Sequence, residues 1–201
     1  MLNVHTLTLG AYQTNCYIIH HDRAKTCCVI DPGYNPETVL DQVYSLGLTV
    51  EAVLLTHGHF DHVGGVKDIA AETGCQVYLC GEDLSMPPQL TAGPLYYTNA
   101  YGEGDQLRLA GLDISVIHTP GHTPGGVSLR CQDALFTGDT LFCGSCGRTD
   151  FPGGDMDQQL LSLKKLCQLE GDYEVYPGHM DQTTLERERQ FNYYCRMAMD
   201  M

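Results

Sequence analysis

The sequence predicts an α/β domain made of two similar halves, each with strands, a loop rich in histidine and aspartate, and a helix. Short apolar runs that end in Gly, Pro or Asp predict buried strands, and apolar residues at helical spacing predict the helices between them. No linker or low-complexity segment interrupts the 201 residues, of which 43% are apolar and 18% charged. A chain of this length and composition can bury one substantial core, so we expect residues 1–201 to form a single domain.

The apolar pattern of the first half predicts five strands and two helices. The strands are expected over residues 4–9, 16–19, 27–30, 53–55 and 77–80, and the helices over 36–46 and 66–73. Asn35 is the expected cap of the first helix because Pro36 follows it at the first helical position. Asp31 directly follows a strand, where it either orients a ligand histidine or simply makes a turn.

The second half repeats this pattern after a segment that is harder to assign. Strands are expected over residues 106–110, 112–118, 127–130, 134–137 and 173–176, and helices over 156–170 and from near 183 to about 197. Asp155 with Gln158, and Thr183 with Glu186, have the spacing of capping boxes. The loop tyrosines of residues 82–105 either wall a substrate groove or pack in the interior: Tyr96, Tyr97 and Tyr101.

Four residues with metal-binding side chains follow the strand at 53–55 within six positions: His57, His59, Asp61 and His62. In an extended segment, residues two apart point the same way, so His57 and His59 can reach one ion. Phe60 then turns the chain, which allows Asp61 and His62 to reach a second ion nearby. Imidazole and carboxylate ligands suit zinc, iron or manganese. The spacing therefore predicts a metal centre at this strand end.

Three further candidate ligands also stand at predicted strand ends: His122, Asp139 and His179. His118, at the end of the strand at 112–118, is interpreted as structural. We expect one ion at His57, His59 and His122, a second at Asp61, His62 and His179, and Asp139 shared between the two. Zinc can lower the pKa of a bound water to roughly 7, so such a pair produces hydroxide at neutral pH. The site therefore predicts hydrolysis at an electrophilic carbon or phosphorus.

Charge and cysteine content limit the expected partners and location. Lys plus Arg number 11 and Asp plus Glu 25, a formal net charge of −14 that repels polyphosphate, so no nucleic-acid partner is expected. The ten cysteines, without a signal peptide or a membrane-spanning run, indicate reduced thiols in a cytoplasmic protein that binds no membrane. The expected partner is a small-molecule substrate, and both a monomer and a homodimer are compatible with the sequence.

The motifs around these residues resemble those of the metallo-β-lactamase superfamily. The matching segments occur in the family's order at residues 56–65, 120–125, 138–140 and 177–179. The resemblance implies an αβ/βα four-layer sandwich, with two mixed β-sheets flanked by helices and the metals at one edge between the halves. It also implies two divalent ions, with zinc as the first expectation and iron or manganese as alternatives.

Within that superfamily, residues 138–142 and 146–148 look most like the glyoxalase II group, the hydroxyacylglutathione hydrolases. The similarity is greatest to the short bacterial type, which lacks the C-terminal helical domain. It implies a hydrolase that cleaves a thioester such as S-D-lactoylglutathione by attack of a metal-bridging hydroxide. Asp61 is the implied catalytic residue, because it would orient that hydroxide.

The sequence leaves open two roles for Arg148 and three alternative functions for the protein. Arg148 either pairs with a substrate carboxylate or braces its loop through Asp150 or Asp155. A persulfide dioxygenase has a similar loop and would hold a single iron with His57, His122 and Asp139. Hydrolysis of a β-lactam or another ester is less favoured, and Cys143 and Cys146 could instead form a redox switch.

Overall fold

Two six-stranded β-sheets pack face to face in the computed structural model, which describes all 201 residues, Met1–Met201. The first sheet contains, in spatial order, β1 (Leu2–Leu9), β2 (Thr14–His21), β3 (Thr26–Ile30), β4 (Thr49–Leu54), β5 (Gln76–Cys80) and β6 (Asn99–Tyr101). The second contains β14 (Thr183–Thr184), β13 (Glu174–Pro177), β10 (Ala134–Gly138), β9 (Val127–Cys131), β8 (Leu112–His118) and β7 (Gln106–Leu109). A small ribbon pairs β11 (Leu141–Phe142) with β12 (Ser145–Cys146).

Six helices cover the outer faces of the sheets and the loops between them: α1 (Pro36–Ser45), α2 (Phe60–Val63), α3 (Val66–Thr73), α4 (Met156–Cys167), α5 (Leu185–Phe191) and α6 (Tyr193–Met199). One apolar cluster joins Val39 of α1 and Ile69 of α3 to the first sheet. Another joins Leu163 of α4 and Cys195 of α6 to the second sheet. The layers therefore follow the predicted αβ/βα order. No helix is long and apolar enough to cross a membrane.

Burial of both faces of β2 explains why its apolar residues form a continuous run and do not alternate with polar ones. Tyr17 and Ile19 face the second sheet in the central apolar cluster, and Cys16 and Ile18 face the helices in the outer one. Because both faces of the strand are buried, both sets of side chains must be apolar. Tyr17 packs on Phe136 of the opposite sheet, with ring centroids 5.3 Å apart.

Strand directions bring the ends of several strands to one edge of the sandwich. The strands β10 and β13 are parallel, and Gly138 lies beside Pro177, so Asp139 and His179 leave the sheet close together. The strand β9 runs antiparallel between β8 and β10, which places the loop at residues 119–126 at that same edge. The predicted ligands of the second half are therefore neighbours although they are distant in sequence.

Every predicted strand has an observed counterpart, whereas four short strands were not predicted: β6, β11, β12 and β14. These strands are only two or three residues long, too short to show the alternation on which the prediction depends. Tyr101, on β6, is buried and its hydroxyl donates to the Leu55 carbonyl at 2.7 Å. Tyr101 is therefore a core residue, and the suggestion that it walls a groove is wrong.

Helix caps agree with the sequence only in part. The side chain of Asp155 accepts a hydrogen bond from the Gln158 amide at 3.0 Å, as expected, but α4 ends at Cys167 and does not extend to residue 170. Asn35 precedes α1 without a side-chain cap bond. Thr184, not Thr183, caps α5 by accepting a hydrogen bond from the Arg187 amide. The second predicted capping box is therefore wrong.

The predicted closing helix is two helices, because Asn192 interrupts it in an extended conformation with φ −73° and ψ 121°. The Asn192 side-chain oxygen accepts hydrogen bonds from the amides of Tyr194 and Cys195 at 2.9 and 3.4 Å. Its amide nitrogen donates to the Ser145 carbonyl at 2.9 Å. Because this buried side chain bonds to backbone groups, it ends one helix and starts the next.

We expect Asn192→Ala to lower the free energy of unfolding by about 2 kcal/mol, because it removes the cap and leaves the half-buried Ser145 carbonyl without this donor. Asn35→Ala is the matched control, since that residue makes no cap bond, and we expect a change within about 0.5 kcal/mol. Urea denaturation followed by circular dichroism measures both variants. Equal losses would contradict the role given to Asn192.

Candidate metal centre

The first four predicted ligands lie where β4 ends and α2 begins. His59 is extended, with φ −67° and ψ 144°, and α2 starts at the next residue. His57 and His59 therefore lie in the segment between β4 and α2, whereas Asp61 and His62 lie in the first turn of that helix, as the spacing predicts. All four side chains belong to buried residues. The change from extended to helical backbone separates them into two pairs.

All seven predicted ligands converge at this edge in the two groups expected. The ligand atoms of each group lie within 4.8 Å of one another: His57, His59 and His122 in one group, and Asp61, His62 and His179 in the other. Asp139 lies between them, with Oδ2 3.3 Å from His122 Nε2 and Oδ1 3.4 Å from His62 Nε2. The carboxylate of Asp139 can therefore contact both groups. That these residues hold ions stays a prediction.

Hydrogen bonds hold the imidazoles through their Nδ1 atoms, and in three of them the partner is a carbonyl or a carboxylate. The Nδ1 atom of His122 lies 2.6 Å from the Arg148 carbonyl, and that of His179 lies 3.1 Å from the Tyr12 carbonyl. A carbonyl only accepts hydrogen bonds, so each Nδ1 carries the proton and each Nε2 presents a lone pair to the other ligands. The Nδ1 atom of His62 lies 3.0 Å from Asp31 Oδ2 in the same way. This arrangement is typical of metal-binding histidines.

Asp31 has both of the roles that the sequence left open. It has a φ of +49° at the turn after β3, a conformation that only a few non-glycine residues adopt. Its buried carboxylate contacts His62 and also accepts hydrogen bonds from the Thr56 amide at 2.8 Å and the Thr56 hydroxyl at 2.6 Å. Asp31 therefore connects the end of β3 to the loop that carries the histidines.

Unpartnered polar atoms show that the residues fit a bound cation. His57 Nε2 and Asp139 Oδ1 are buried and have no hydrogen-bond partner in the protein. Leaving such an atom unsatisfied costs about 1–3 kcal/mol. A divalent cation would accept their lone pairs and remove that cost, and imidazole with carboxylate is a donor set that zinc, iron and manganese accept.

Burial lowers the pKa values of the histidines, whereas neighbouring carboxylates raise them. Burial lowers the pKa of His57 well below its usual value and that of His59 to about 4, which keeps both imidazoles neutral. Burial also opposes a charge on His62, yet the carboxylates of Asp139 and Asp31 raise its pKa to about 9. His62 is therefore a cation in the metal-free protein at neutral pH, and it must lose its proton to bind a metal.

Metal loading should consequently release a proton from His62. At about pH 7.5, zinc added to the metal-free protein is expected to release about one proton from this residue, because its pKa lies above that pH. Asp31→Asn removes one of the two carboxylates that raise this pKa, and the hydrogen bond from His62 to it, while Asp139 remains, so the release should fall measurably below that of the wild type. A pH indicator in weak buffer measures the difference. The same proton count in both proteins would contradict this assignment.

Two buried residues that support the ligands were not predicted. The carboxylate of Asp83 accepts hydrogen bonds from the amides of Gly58 at 2.7 Å and Gly125 at 2.6 Å, so it joins the two loops that carry histidines. Gln159 donates from α4 to the carbonyl of Thr140 at 2.8 Å. Neither residue stands in a recognisable motif. Asp83 could have been suspected only as an acidic residue close to a strand end.

The environment of Arg148 matches the bracing alternative. Its guanidinium makes two hydrogen bonds of 2.7 Å to the Asp150 carboxylate and lies 3.8 Å from the centroid of the Phe151 ring. No ion pair joins it to Asp155. The side chain is exposed, and its backbone carbonyl is the group that orients His122. Contact between Arg148 and a substrate carboxylate stays a prediction.

The remaining sequence candidates lie outside the centre. His118 contacts the Pro124 carbonyl at 2.9 Å and the Glu82 carboxylate at 3.3 Å, consistent with a structural role. Cys143 and Cys146 belong to the hairpin of β11 and β12, in which Leu141, not Cys143, pairs with Cys146. Burial raises the pKa of Cys146 to about 11, opposite to the shift that a reactive thiol needs.

Known proteins of one family match nearly the whole chain. Residues 9–179 match the profile of the family described as metallo-beta-lactamase superfamily. Hydroxyacylglutathione hydrolase GloC of Haemophilus influenzae is 34% identical over 95% of this chain and 97% of its own length. Coverage is thus nearly complete on both sides.

Solved structures with the same fold have several different names. The BLEG-1 B3 metallo-beta-lactamase has a TM-score of 0.86 and 34% identity, over 97% of this chain and 99% of its own. The di-iron-bound form of TTHA1623 has a TM-score of 0.82 and 36% identity, over 95% and 100%. ETHE1 from Myxococcus xanthus has a TM-score of 0.84 and 27% identity, over 98% and 90%.

Proposed function

The chain belongs to the metallo-beta-lactamase superfamily, and on that premise we propose that it is a dinuclear metal-dependent hydrolase of thioesters such as S-D-lactoylglutathione. The observation that carries the proposal is the similarity to a hydroxyacylglutathione hydrolase over 95% of this chain, joined to a site in which all seven expected ligands converge. The proposed reaction adds water across the C–S bond and yields a carboxylic acid and a free thiol.

We propose that His57, His59 and His122 hold one divalent ion, that Asp61, His62 and His179 hold the other, and that Asp139 is shared. When bound, the ions supply hydroxide at neutral pH and polarise the carbonyl under attack. Zinc is proposed first because imidazole-rich sites suit it. Iron is the alternative, supported by the di-iron form of the 36% identical TTHA1623.

Asp61 is suited to orient the attacking water. Burial disfavours its negative charge, but hydrogen bonds from His179 and Thr14 and the charge of His62 hold the pKa of Asp61 below its usual value. The Thr14 hydroxyl donates to Asp61 Oδ2 at 3.0 Å, which fixes the carboxylate. The second carboxylate oxygen can then accept a hydrogen bond from the water, so that the water oxygen points a lone pair at the substrate carbonyl.

We further propose that Arg148 can pair with a substrate carboxylate. Its guanidinium is exposed beside the ligand loop and already holds one carboxylate in a two-bond geometry, that of Asp150. A substrate would have to replace Asp150, an exchange between exposed partners that costs little.

The expected cytoplasmic location is supported by the burial of eight of the ten free thiols as core residues.

The test is to purify the protein, count its bound metals and measure thiol release from S-D-lactoylglutathione. We expect two metals per chain, hydrolysis that a chelator abolishes, and recovery when zinc or iron is restored. A fully metallated protein that releases no thiol from this or any other acyl thioester would overturn the proposal.

A persulfide dioxygenase is the second candidate, supported by the similarity of the fold to ETHE1. It would use one iron at His57, His122 and Asp139 and would consume oxygen. Oxygen uptake with glutathione persulfide by the iron-loaded protein, without thioester hydrolysis, would favour it. Hydrolysis of a β-lactam is a third candidate because of the similarity to BLEG-1, and turnover of nitrocefin tests it.

A further inference from the structure

A groove leads away from Asp61 across one aromatic side chain to a lysine. One cavity of about 190 Å³ is lined by Asp61, Tyr12 and Tyr34. A second cavity, of about 180 Å³, is lined by Tyr34, Lys67 and Tyr96. Tyr34 lines both cavities, which are therefore neighbours and together make up the groove, and the first of them is bordered by a predicted metal ligand, Asp61.

The aromatic wall of this groove is built into the fold. The rings of Tyr12 and Phe60 meet edge to face with centroids 5.1 Å apart, and Tyr34 lies 6.1 Å from the same phenylalanine. Tyr34 packs directly on the backbone of Gly64, where an added Cβ would stand only 2.6 Å from the Tyr34 Cε1 atom. Even so, Tyr12 is 60% and Tyr34 46% exposed, so their rings can still cover apolar parts of a ligand.

Lys67 is a free positive charge at the far end of the groove. The arginine and lysine side chains that form ion pairs are those of Arg148, Lys165, Arg187 and Arg189, and Lys67 pairs with no carboxylate. In a protein of net charge −14, an exposed lysine without a carboxylate partner is available to an anionic ligand.

We propose that Tyr34, Tyr96 and Lys67 form a subsite for the thiol arm of an anionic thioester. The carboxylate of that arm pairs with Lys67, and the chain between carboxylate and sulfur lies across Tyr34. The thiol arm is the suitable occupant because an acyl group as short as lactoyl would not extend from Asp61 past Tyr34. This inference rests on the proposed thioester hydrolysis and adds to it a requirement for negative charge on the thiol.

Two thioesters with the same D-lactoyl group test the subsite: one of N-acetylcysteinylglycine, whose carboxylate is free and stands one residue farther from the sulfur, and one of N-acetylcysteinylglycine amide, which is neutral. The ratio of their kcat/KM values should fall about fivefold in Lys67→Ala, the range of one exposed ion pair. Lys25→Ala removes an exposed lysine from the β2–β3 turn and should leave the ratio unchanged. In the wild type, salt at about 0.5 M should reduce the ratio as well.

A ratio that Lys67→Ala does not change would overturn the subsite. If the wild type hydrolyses neither ester, the proposed function fails, and a binding measurement then decides the subsite separately. Calorimetry with S-acetonyl-N-acetylcysteinylglycine, a thioether that cannot be hydrolysed, should give about fivefold weaker binding to Lys67→Ala than to Lys25→Ala. Equal binding to the two variants would reject the subsite even then.

Gly64→Ala tests the aromatic wall independently of charge. The new methyl group must displace the Tyr34 ring, so KM should rise for both esters while their ratio changes little. Gly81→Ala is the control, because nothing lies within 4 Å of a Cβ at that position. Circular dichroism establishes that both variants fold. An unchanged KM in folded Gly64→Ala would contradict the placement of the substrate along Tyr34.

Discussion

Asp139→Asn is expected to reduce kcat/KM for thioester hydrolysis roughly a thousandfold and to lower the metal content below two ions per chain. The carboxylate of Asp139 reaches both histidine groups, with its two oxygens 3.3 and 3.4 Å from His122 Nε2 and His62 Nε2. An amide of the same shape has one oxygen and no charge, so it cannot serve both ions. Metal analysis after dialysis and thiol-release kinetics measure the two effects.

Asp113→Asn is the matched control, because it makes the same chemical change on an exposed residue of β8. We expect it to keep full metal content and activity. A fully active, fully metallated Asp139→Asn protein would remove the shared carboxylate from the proposed centre. Normal metal content with lost activity would instead assign Asp139 to the reaction and not to metal retention.

The ligands were predictable because their positions depend on local rules. His57 and His59 were predicted from their two-residue spacing after an apolar run, and Asp61 from the helix that begins directly afterwards. Asp139 and His179 were identified as polar residues at the ends of apolar runs. Their convergence requires the parallel pairing of β10 with β13, which the similarity to a known family supplied.

The supporting residues were not predictable because their partners are distant in sequence. Asp83 contacts Gly125, which is 42 residues away in the sequence, and no local sequence pattern predicts such a pair. Asn192 interrupts a segment with good helical spacing because its side chain reaches Ser145 in a separate hairpin. Tertiary contacts override local propensity in such cases. Lys67 was not predictable for the same reason, because only the three-dimensional structure places it in the groove with Tyr34.

Gly178→Ala should reduce activity about a hundredfold, because it displaces metal ligands without altering any of them chemically. A Cβ at this position would lie 2.8 Å from His62 Cε1 and still closer to Asp139 Oδ1, and both side chains are packed in the centre. The backbone of Gly178 cannot move away freely, since its amide donates to the Gly138 carbonyl at 2.8 Å. The carboxylate must therefore shift. Kinetics and metal analysis measure the consequence.

Gly102→Ala is the control for this change, because a Cβ there meets nothing within 4 Å. We expect it to keep metal content, activity and stability. Gly178→Ala should fold, as judged by circular dichroism, because the methyl group's two contacts shorter than 3 Å are with side chains and its backbone contact, with the Gly138 carbonyl carbon, is 3.1 Å. At Gly147, by contrast, it would meet the Asp139 backbone carbonyl, so Gly147→Ala should also lose stability. Full activity of folded Gly178→Ala would mean that the position of Asp139 in this structure is not the one that catalysis requires.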